Sequence, residues 1–289
     1  MGLNIDFVRD VARRCVERLT EAGYAPQPAN DEDAIRTYVA VLHRRVRPRP
    51  RRLHKAAYTV PAHLAVGEQR LLAKVTAGDD LWPHQSRKIG KLSVEDGMLN
   101  DYGIQHFHLG IAPDARHPNL ISGTKELLFA VVKDSDFYTI GIYDHKAWSM
   151  VALFDVVHAT WPALTDPYTV RGAVGLARNL TDAEAAQYRA AGINVARQRA
   201  DGGIQIGMGG GINAAGGSVA VVRETDCFID HIERVQARVT AILGTRVKDR
   251  VPSPDASVRL AWDGDVTYAV SDPPGVQIEI TGGLMVPPL

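Results

Sequence analysis

Four short apolar runs, rich in β-branched and aromatic residues, follow one another between about residues 100 and 160. They read IQHFHLGI, ELLFAVV, FYTIGIYDH and SMVALFDVV, and this composition is typical of strands. The polar link KDSD between the second and third runs has the composition of a hairpin loop. The pattern predicts consecutive antiparallel strands, so the centre of the chain is expected to build a sheet.

The first 80 residues show helical spacing instead. Apolar residues recur at helical intervals, which predicts a helix over about residues 5–22; they are Phe7, Val8, Val11, Cys15, Val16 and Leu19. A second helix is predicted after the acidic turn at residues 31–33, because carboxylates favour a helix N-terminus. A third is predicted from Pro61 to about residue 76. The N-terminal region is therefore expected to be helical.

The C-terminal part mixes helices and strands. A capping-box signature at Thr181 and Glu184 predicts a helix. Further strands are predicted near residues 193–198, 219–223 and 276–280, with a long helix at about 226–243 and a hairpin at Asp263-Gly264. The sequence thus predicts an α+β protein in three parts. These are a helical N-terminal region with a basic segment (1–80), an antiparallel His-rich core (81–165) and an α+β C-terminal domain (166–289).

Charge and composition exclude several classes of protein. The 289 residues hold 33 Lys plus Arg against 33 Asp plus Glu, which excludes a uniformly basic nucleic-acid binder. Apolar residues make up 45% and charged residues 23%, as in soluble globular proteins. No apolar run reaches about 18 residues, and Asp6 and Arg9 interrupt the N-terminus, so we expect a cytoplasmic protein without a membrane anchor. Two cysteines are too few for a disulfide framework.

Histidines are concentrated in the centre of the chain. Six of the ten fall within 75 positions: His84, His106, His108, His117, His145 and His158. His106 and His108 are two residues apart on a predicted strand, so their side chains leave the same face. His145 closes another predicted strand, which a meander can bring near the first. We therefore expect His106, His108 and His145 to share a site with nearby lysines.

Two chemistries fit this group of side chains. In one, histidines act as acid and base on a ribose 2′-hydroxyl and the leaving 5′-oxygen, while a lysine stabilises the phosphate charge, and no metal is needed. In the other, His106, His108, His145 and a carboxylate such as Asp144 or Asp101 bind a divalent metal that activates water. A third interpretation makes His106 and His108 ordinary strand residues, hydrogen-bonded to the backbone.

The run HFHLG followed by KELLFAVVKDSDFYTIGIYDHKAW resembles the central sheet of the RelE-like toxin endoribonucleases, within the barnase/EndoU/colicin/RelE group. The resemblance covers about residues 81–160. It implies a curved meander preceded by helices, and RNA cleavage without a metal. It also implies catalytic roles for His106, His108, Lys125, His145 and Lys146. The chain differs from small toxins of this kind in its N- and C-terminal regions, and it lacks the arginine common on their second strand.

A basic segment precedes the His-rich core. Residues 34–67 contain no acidic residue, and two prolines hold the middle of the segment extended. The arginines predicted to bind a phosphate backbone are Arg44, Arg45, Arg47, Arg49, Arg51 and Arg52. His84, Arg87 and Lys88 lie in a predicted loop and are further binding candidates. The alternative is a solvated helix end that pairs with acidic surface.

The glycine stretch GMGGG at residues 207–211 does not indicate a nucleotide loop, because no Gly-Lys-Ser/Thr ending follows it. The leading hypothesis is a metal-independent endoribonuclease that acts as a toxin or phage-defence effector without a cofactor. His106 or His108 would be the general base, His145 the general acid, and Lys125 or Lys146 the transition-state cation. RNA is the expected partner, and an inhibitory antitoxin-like protein and self-association are further expectations. The alternatives are a metal-dependent nuclease and a non-catalytic binding module.

Overall fold

The chain divides into two units, Met1–Leu42 with Val221–Leu289 and His43–Ala220. A computed structural model describes residues 4–145, 147, 151–173, 175–199, 201–245, 256–272 and 274–289. Helices and strands occur in both units, so the protein is α+β, as the sequence predicts. The predicted boundaries near residues 80 and 165 both lie inside the second unit.

The described residues form eight α-helices and ten strands. The helices are α1 (Phe7–Glu21), α2 (Asp31–Arg44), α3 (Ala65–Ala77), α4 (Gly97–Tyr102), α5 (Val151–Thr160), α6 (Pro162–Thr165), α7 (Asp182–Ala190) and α8 (Val219–Thr245). The strands are β1 (Asn4–Ile5), β2 (Arg52–Lys55), β3 (Gln105–His108), β4 (Glu126–Val132), β5 (Asp136–Asp144), β6 (Arg197–Gln198), β7 (Ile204–Gln205), β8 (Ser257–Asp263), β9 (Val266–Asp272) and β10 (Gln277–Glu279). None of the helices described here is long and apolar enough to cross a membrane.

The first unit contains a four-stranded sheet in the order β1-β8-β9-β10. The predicted hairpin is present, and its turn uses Gly264 at a φ of +58°, a left-handed conformation that favours glycine. Helix α1 buries Phe7, Val11, Cys15 and Leu19 completely, which confirms these four positions of the predicted apolar stripe. Val8 and Val16, the other two, are half-buried.

A second four-stranded sheet, in the order β2-β5-β4-β3, forms the centre of the second unit. Strands β3, β4 and β5 form the predicted antiparallel meander. Strand β2 comes from the basic segment and pairs parallel with β5. The sequence predicts extended chain in this segment but no strand, because a short basic run carries no strand periodicity.

Both faces of this sheet are covered. On one face Phe107, Leu128 and Phe137 pack with Leu71 and Val75 of α3. On the other face Phe129 and Val131 pack with residues of α4 and α5. Successive strand residues point to opposite faces, so His106 and His108 leave the sheet on the side of α4 and α5.

Two sequence-based assignments are wrong because tertiary packing overrides local preference. The run SMVALFDVV, predicted as a strand, contributes residues 151–157 to α5. Leu153, Phe154 and Val157 are fully buried at helical spacing, and a short apolar run alone cannot distinguish a buried strand from a buried helix. The predicted strand at residues 219–223 is instead the start of α8, although its β-branched residues favour a strand.

The glycine stretch packs against α4. The Gly209 amide donates to the Asp101 carbonyl at 2.9 Å, and the Gly211 amide donates to the Asn100 carbonyl at 2.9 Å. A Cβ at position 209 would lie 2.1 Å from the carbonyl oxygen of Leu99, so no larger residue fits without a backbone shift. The glycines therefore allow the backbone of this stretch to pack closely against the backbone of α4.

Candidate active site

The sheet register aligns three segments that carry candidate residues. On β3, His106 pairs with Phe129 and His108 pairs with Leu127. On the other side of β4, Glu126 pairs with Asp144, the last residue of β5. His108, Lys125 and His145 are therefore brought to the same end of the meander, although 37 positions separate the two histidines in the sequence.

His108 and His145 form a pair of neighbouring rings. Their centroids are 5.8 Å apart, and their planes are inclined by 45°. His108 is half-buried and His145 is exposed. The predicted proximity of these two imidazoles is present in the structure, while their catalytic roles stay a prediction.

The two rings are held in opposite tautomers. The backbone N–H of Thr124 donates to Nδ1 of His108 at 3.1 Å, so the neutral His108 ring carries its proton on Nε2. Nδ1 of His145 lies 2.8 Å from the carbonyl oxygen of Lys125. A carbonyl only accepts, so Nδ1 of His145 is the donor and its Nε2 is the basic atom of the neutral ring. One ring is thus a donor at Nε2 and the other an acceptor.

His106 has a different environment from its neighbour on the strand. It is 5% exposed, and its ring lies 6.1 Å from that of Phe129, centroid to centroid. Burial lowers the pKa of His106 to about 4, with a further contribution from the charge of His145. His106 is therefore neutral at physiological pH.

Thr124 contributes to the site, and the sequence analysis missed it. Besides donating to His108, it accepts the Leu109 N–H through Oγ1 at 3.2 Å and donates to the Glu126 carbonyl at 2.6 Å. It therefore links the end of β3 to the start of β4. Its contribution to His108 comes from the backbone, so no residue-type signal in the sequence could have indicated it.

A cavity of about 380 Å³ lies at the edge strand β3. Its lining residues are Arg44, Gln85, Ser86, Lys88, Lys91, Ser93, Val94, Glu95, Asp96, Gln105 and His106. Arg44, Lys88 and His106 are sequence-predicted site residues, whereas Gln85 and Gln105 were not singled out, since uncharged amides are common in any sequence.

Two arginines of the basic segment form ion pairs within their own unit. Arg49 lies 3.3 Å from Asp134, and Arg52 lies 3.2 Å from Asp136. Hydrogen bonds from Ser135 and His54 and the nearby charge of Arg52 lower the pKa of Asp136 to about 2. Both partner carboxylates belong to the β4–β5 hairpin, which is remote in sequence from the two arginines.

Individual arginines of the segment have different environments. Arg51 is buried and donates to the carbonyls of Lys133, Arg49 and Arg47. The Arg45 guanidinium lies 4.4 Å from the centroid of the Trp82 ring, a cation–π distance. Arg47 is exposed. The structure thus places the six arginines in separate surroundings, and their predicted role in binding stays a prediction.

The remaining candidates are dispersed. His84 is 3% exposed, and its Nδ1–H donates to the His108 carbonyl at 3.0 Å, so it fixes the end of β3. Burial lowers the pKa of His84. Lys88 is exposed at the cavity, and Lys125 is exposed beside His145. The side chain of Arg87 and the whole of Lys146 lie outside the described residues.

Within the described ranges, no group of three or more His, Cys, Asp or Glu side chains is arranged to hold a metal ion. Comparison with known proteins gives no match to a protein-family model, to a curated protein or to a solved structure.

Proposed function

We propose that the protein is a metal-independent endoribonuclease that acts in the cytoplasm as a toxin or phage-defence effector. The observation that carries the proposal is the pair His108 and His145, whose rings lie 5.8 Å apart with opposite hydrogen bonds at Nδ1. One imidazole offers an N–H and the other a lone pair at the same end of the sheet. Cleavage of a phosphodiester by the adjacent 2′-hydroxyl is accelerated by a base that takes the hydroxyl proton and by a donor that stabilises the charge on the phosphate.

In the proposed reaction, Nε2 of His145 takes the proton of the ribose 2′-hydroxyl. The 2′-oxygen then forms a bond to phosphorus, the bond from phosphorus to the 5′-oxygen breaks, and the 5′-oxygen takes a proton from solvent. The resulting imidazolium of His145 is stabilised by its Nδ1–H bond to the Lys125 carbonyl. Nε2–H of His108 and the Lys125 ammonium stabilise the charge on the phosphate.

The reverse assignment makes His145 the general acid and His106 or His108 the base. The pH dependence of kcat/KM separates the two assignments, because a base must be deprotonated and an acid protonated in the free enzyme. If His145 is the base, His145→Ala should remove the rising limb of the kcat/KM profile against pH. If His145 is the acid, the same substitution should remove the falling limb.

The main test is cleavage of a fluorogenic RNA oligonucleotide by wild type and by variants His145→Ala and His108→Ala. Each substitution is expected to lower the rate by about 10²–10⁴-fold. His117→Ala is the control, because His117 is also in the second unit but exposed. An oligonucleotide with 2′-O-methyl groups throughout should not be cleaved, and the product should carry a 2′,3′-cyclic phosphate.

EDTA distinguishes the alternatives. Activity that survives chelation supports the proposal, whereas activity that EDTA abolishes and a divalent metal restores identifies a metal-dependent nuclease. Binding of RNA without any cleavage identifies a non-catalytic binding module. RNA is the proposed partner, and an inhibitory antitoxin-like protein and self-association belong to the same proposal. Co-expression that relieves growth inhibition would identify the inhibitor.

A further inference from the structure

The cavity beside β3 contains two buried amide groups with incomplete hydrogen bonding. Gln85 is 5% exposed and Gln105 is 8% exposed. Both Nε2 groups donate to the carbonyl of Arg44, at 2.9 and 3.5 Å. Arg44 is the last residue of α2, where backbone carbonyls lack helical partners. Because a carbonyl only accepts, these bonds fix which end of each amide is the nitrogen.

The two amide oxygens are therefore also fixed. The Oε1 atoms of Gln85 and Gln105 are buried and accept no hydrogen bond from the described residues. A buried acceptor without a donor costs about 1–3 kcal/mol, so two neighbouring ones call for an explanation. Since both side chains line the cavity, a ligand that brings two N–H donors would satisfy them.

Charge in the cavity adds a second requirement. The lining contains three positively charged residues, which are Arg44, Lys88 and Lys91. The two carboxylates of the lining already accept hydrogen bonds, Glu95 from Asn100 at 2.8 Å and Asp96 from the Leu99 amide at 3.1 Å. With both carboxylates ionised, the lining carries one net positive charge while His106 is neutral. Burial raises the pKa of Asp96 and so disfavours its negative charge, and the cavity therefore favours an anionic ligand.

We infer that the cavity binds a small anionic ligand whose planar heterocycle presents two adjacent N–H donors. Guanine nucleotides and carboxylated pterins share this donor edge, whereas adenine and cytosine pair a donor with an acceptor and uracil has one donor. A volume of about 380 Å³ lies within the range of small-molecule sites. The inference concerns binding alone and does not depend on RNA cleavage.

The test is isothermal titration calorimetry of the full chain with GMP and with pterin-6-carboxylate. At least one of the two ligands should bind. Comparing their affinities shows whether the cavity accepts a guanine or a pterin ring. IMP, which lacks the 2-amino donors, should bind about fivefold or more weakly than GMP if GMP is the ligand. AMP should bind more weakly still, and guanosine without its phosphate should lose affinity.

Variants connect the binding to the two amides. Gln85→Leu and Gln105→Leu should each weaken binding by about fivefold or more. Gln205→Leu is the matched control. Gln205 is fully buried, donates to the Thr165 carbonyl at 2.7 Å and has a buried Oε1 without a partner among the described residues, but it does not line the cavity. It should leave the affinity unchanged.

Three results would overturn the inference: no binding of either ligand at millimolar concentration, equal affinity for GMP, IMP and AMP, or equal losses in the Gln85, Gln105 and Gln205 variants. The comparison of GMP with IMP uses only wild-type protein, so it decides the matter even where a glutamine variant does not fold. RNA cleavage without ligand binding refutes this inference alone, and ligand binding without cleavage refutes only the proposed function.

Discussion

His106 and His108 leave the same face of β3 two residues apart, and the structure gives them different environments. His106 is 5% exposed in the cavity lining, and its pKa falls to about 4. His108 is half-buried and has His145 as its neighbour at 5.8 Å. Two side chains on the same face of a strand can therefore have different chemical environments, because the depth of burial changes along the strand.

The buried His106 should make stability depend on pH. The folded protein keeps the ring neutral down to about pH 4, while the unfolded chain takes up the proton near 6.5. Stability is therefore complete above pH 6.5 and is lost as the pH falls toward 4. Between pH 7 and 4.5, wild type should lose about 2–3 kcal/mol more than His106→Gln, measured by urea denaturation. His117→Gln should follow wild type, and parallel curves for wild type and His106→Gln would refute the assignment.

Arg51 should contribute more to the free energy of unfolding than Arg49 does. Arg51→Ala removes three hydrogen bonds to carbonyls from a buried position and should cost about 2–4 kcal/mol of stability. Arg49→Ala breaks a solvent-accessible ion pair with Asp134 and should cost less than about 1 kcal/mol. If the segment binds RNA, Arg49→Ala should lower the salt slope of binding by about one. Urea denaturation and salt titrations check both; equal stability losses would contradict this distinction.

Replacing two helical glycines by alanine should change the stability of the protein in opposite directions. A Cβ at Gly67 of α3 would lie 1.8 Å from the Leu109 carbonyl oxygen, while a Cβ at Gly244 of α8 would meet nothing within 4 Å. Gly67→Ala should therefore destabilise the protein by about 3 kcal/mol. Gly244→Ala should stabilise it by up to about 1 kcal/mol through helix propensity. Thermal unfolding measures both, and a neutral Gly67→Ala would show that α3 packs less closely on Leu109.

Replacing one partner of the buried ion pair between Asp101 and Arg189 should strongly reduce the stability of the folded protein. Nη2 of Arg189 lies 3.0 Å from the Asp101 carboxylate, and both side chains are nearly inaccessible. Asp101→Asn should cost about 3 kcal/mol or more, because a buried guanidinium loses this carboxylate. The double variant with Arg189→Leu should recover part of the loss. Glu17→Gln, which breaks an accessible pair with Arg14, should cost less than about 1 kcal/mol.

Strong periodicity made parts of the fold predictable. The stripe of α1, the capping box of α7, the meander of β3 to β5 and the hairpin at Gly264 all follow from local patterns that the structure confirms. Residues 151–157 and 219–223 were assigned wrongly, since their apolar and β-branched residues fit either a strand or a buried helix.

The amino-acid sequence by itself determined which segments can form helices or strands, and which side chains can carry protons and charge, because those properties belong to the residue and its near neighbours. Tertiary structure alone decided that Thr124 and Lys125 orient the rings of His108 and His145, and that Gln85 and Gln105 meet at the carbonyl of Arg44. It also decided that Arg49 and Arg52 pair with Asp134 and Asp136. These contacts join residues remote in the chain, and their energies depend on burial and backbone geometry that no local pattern contains.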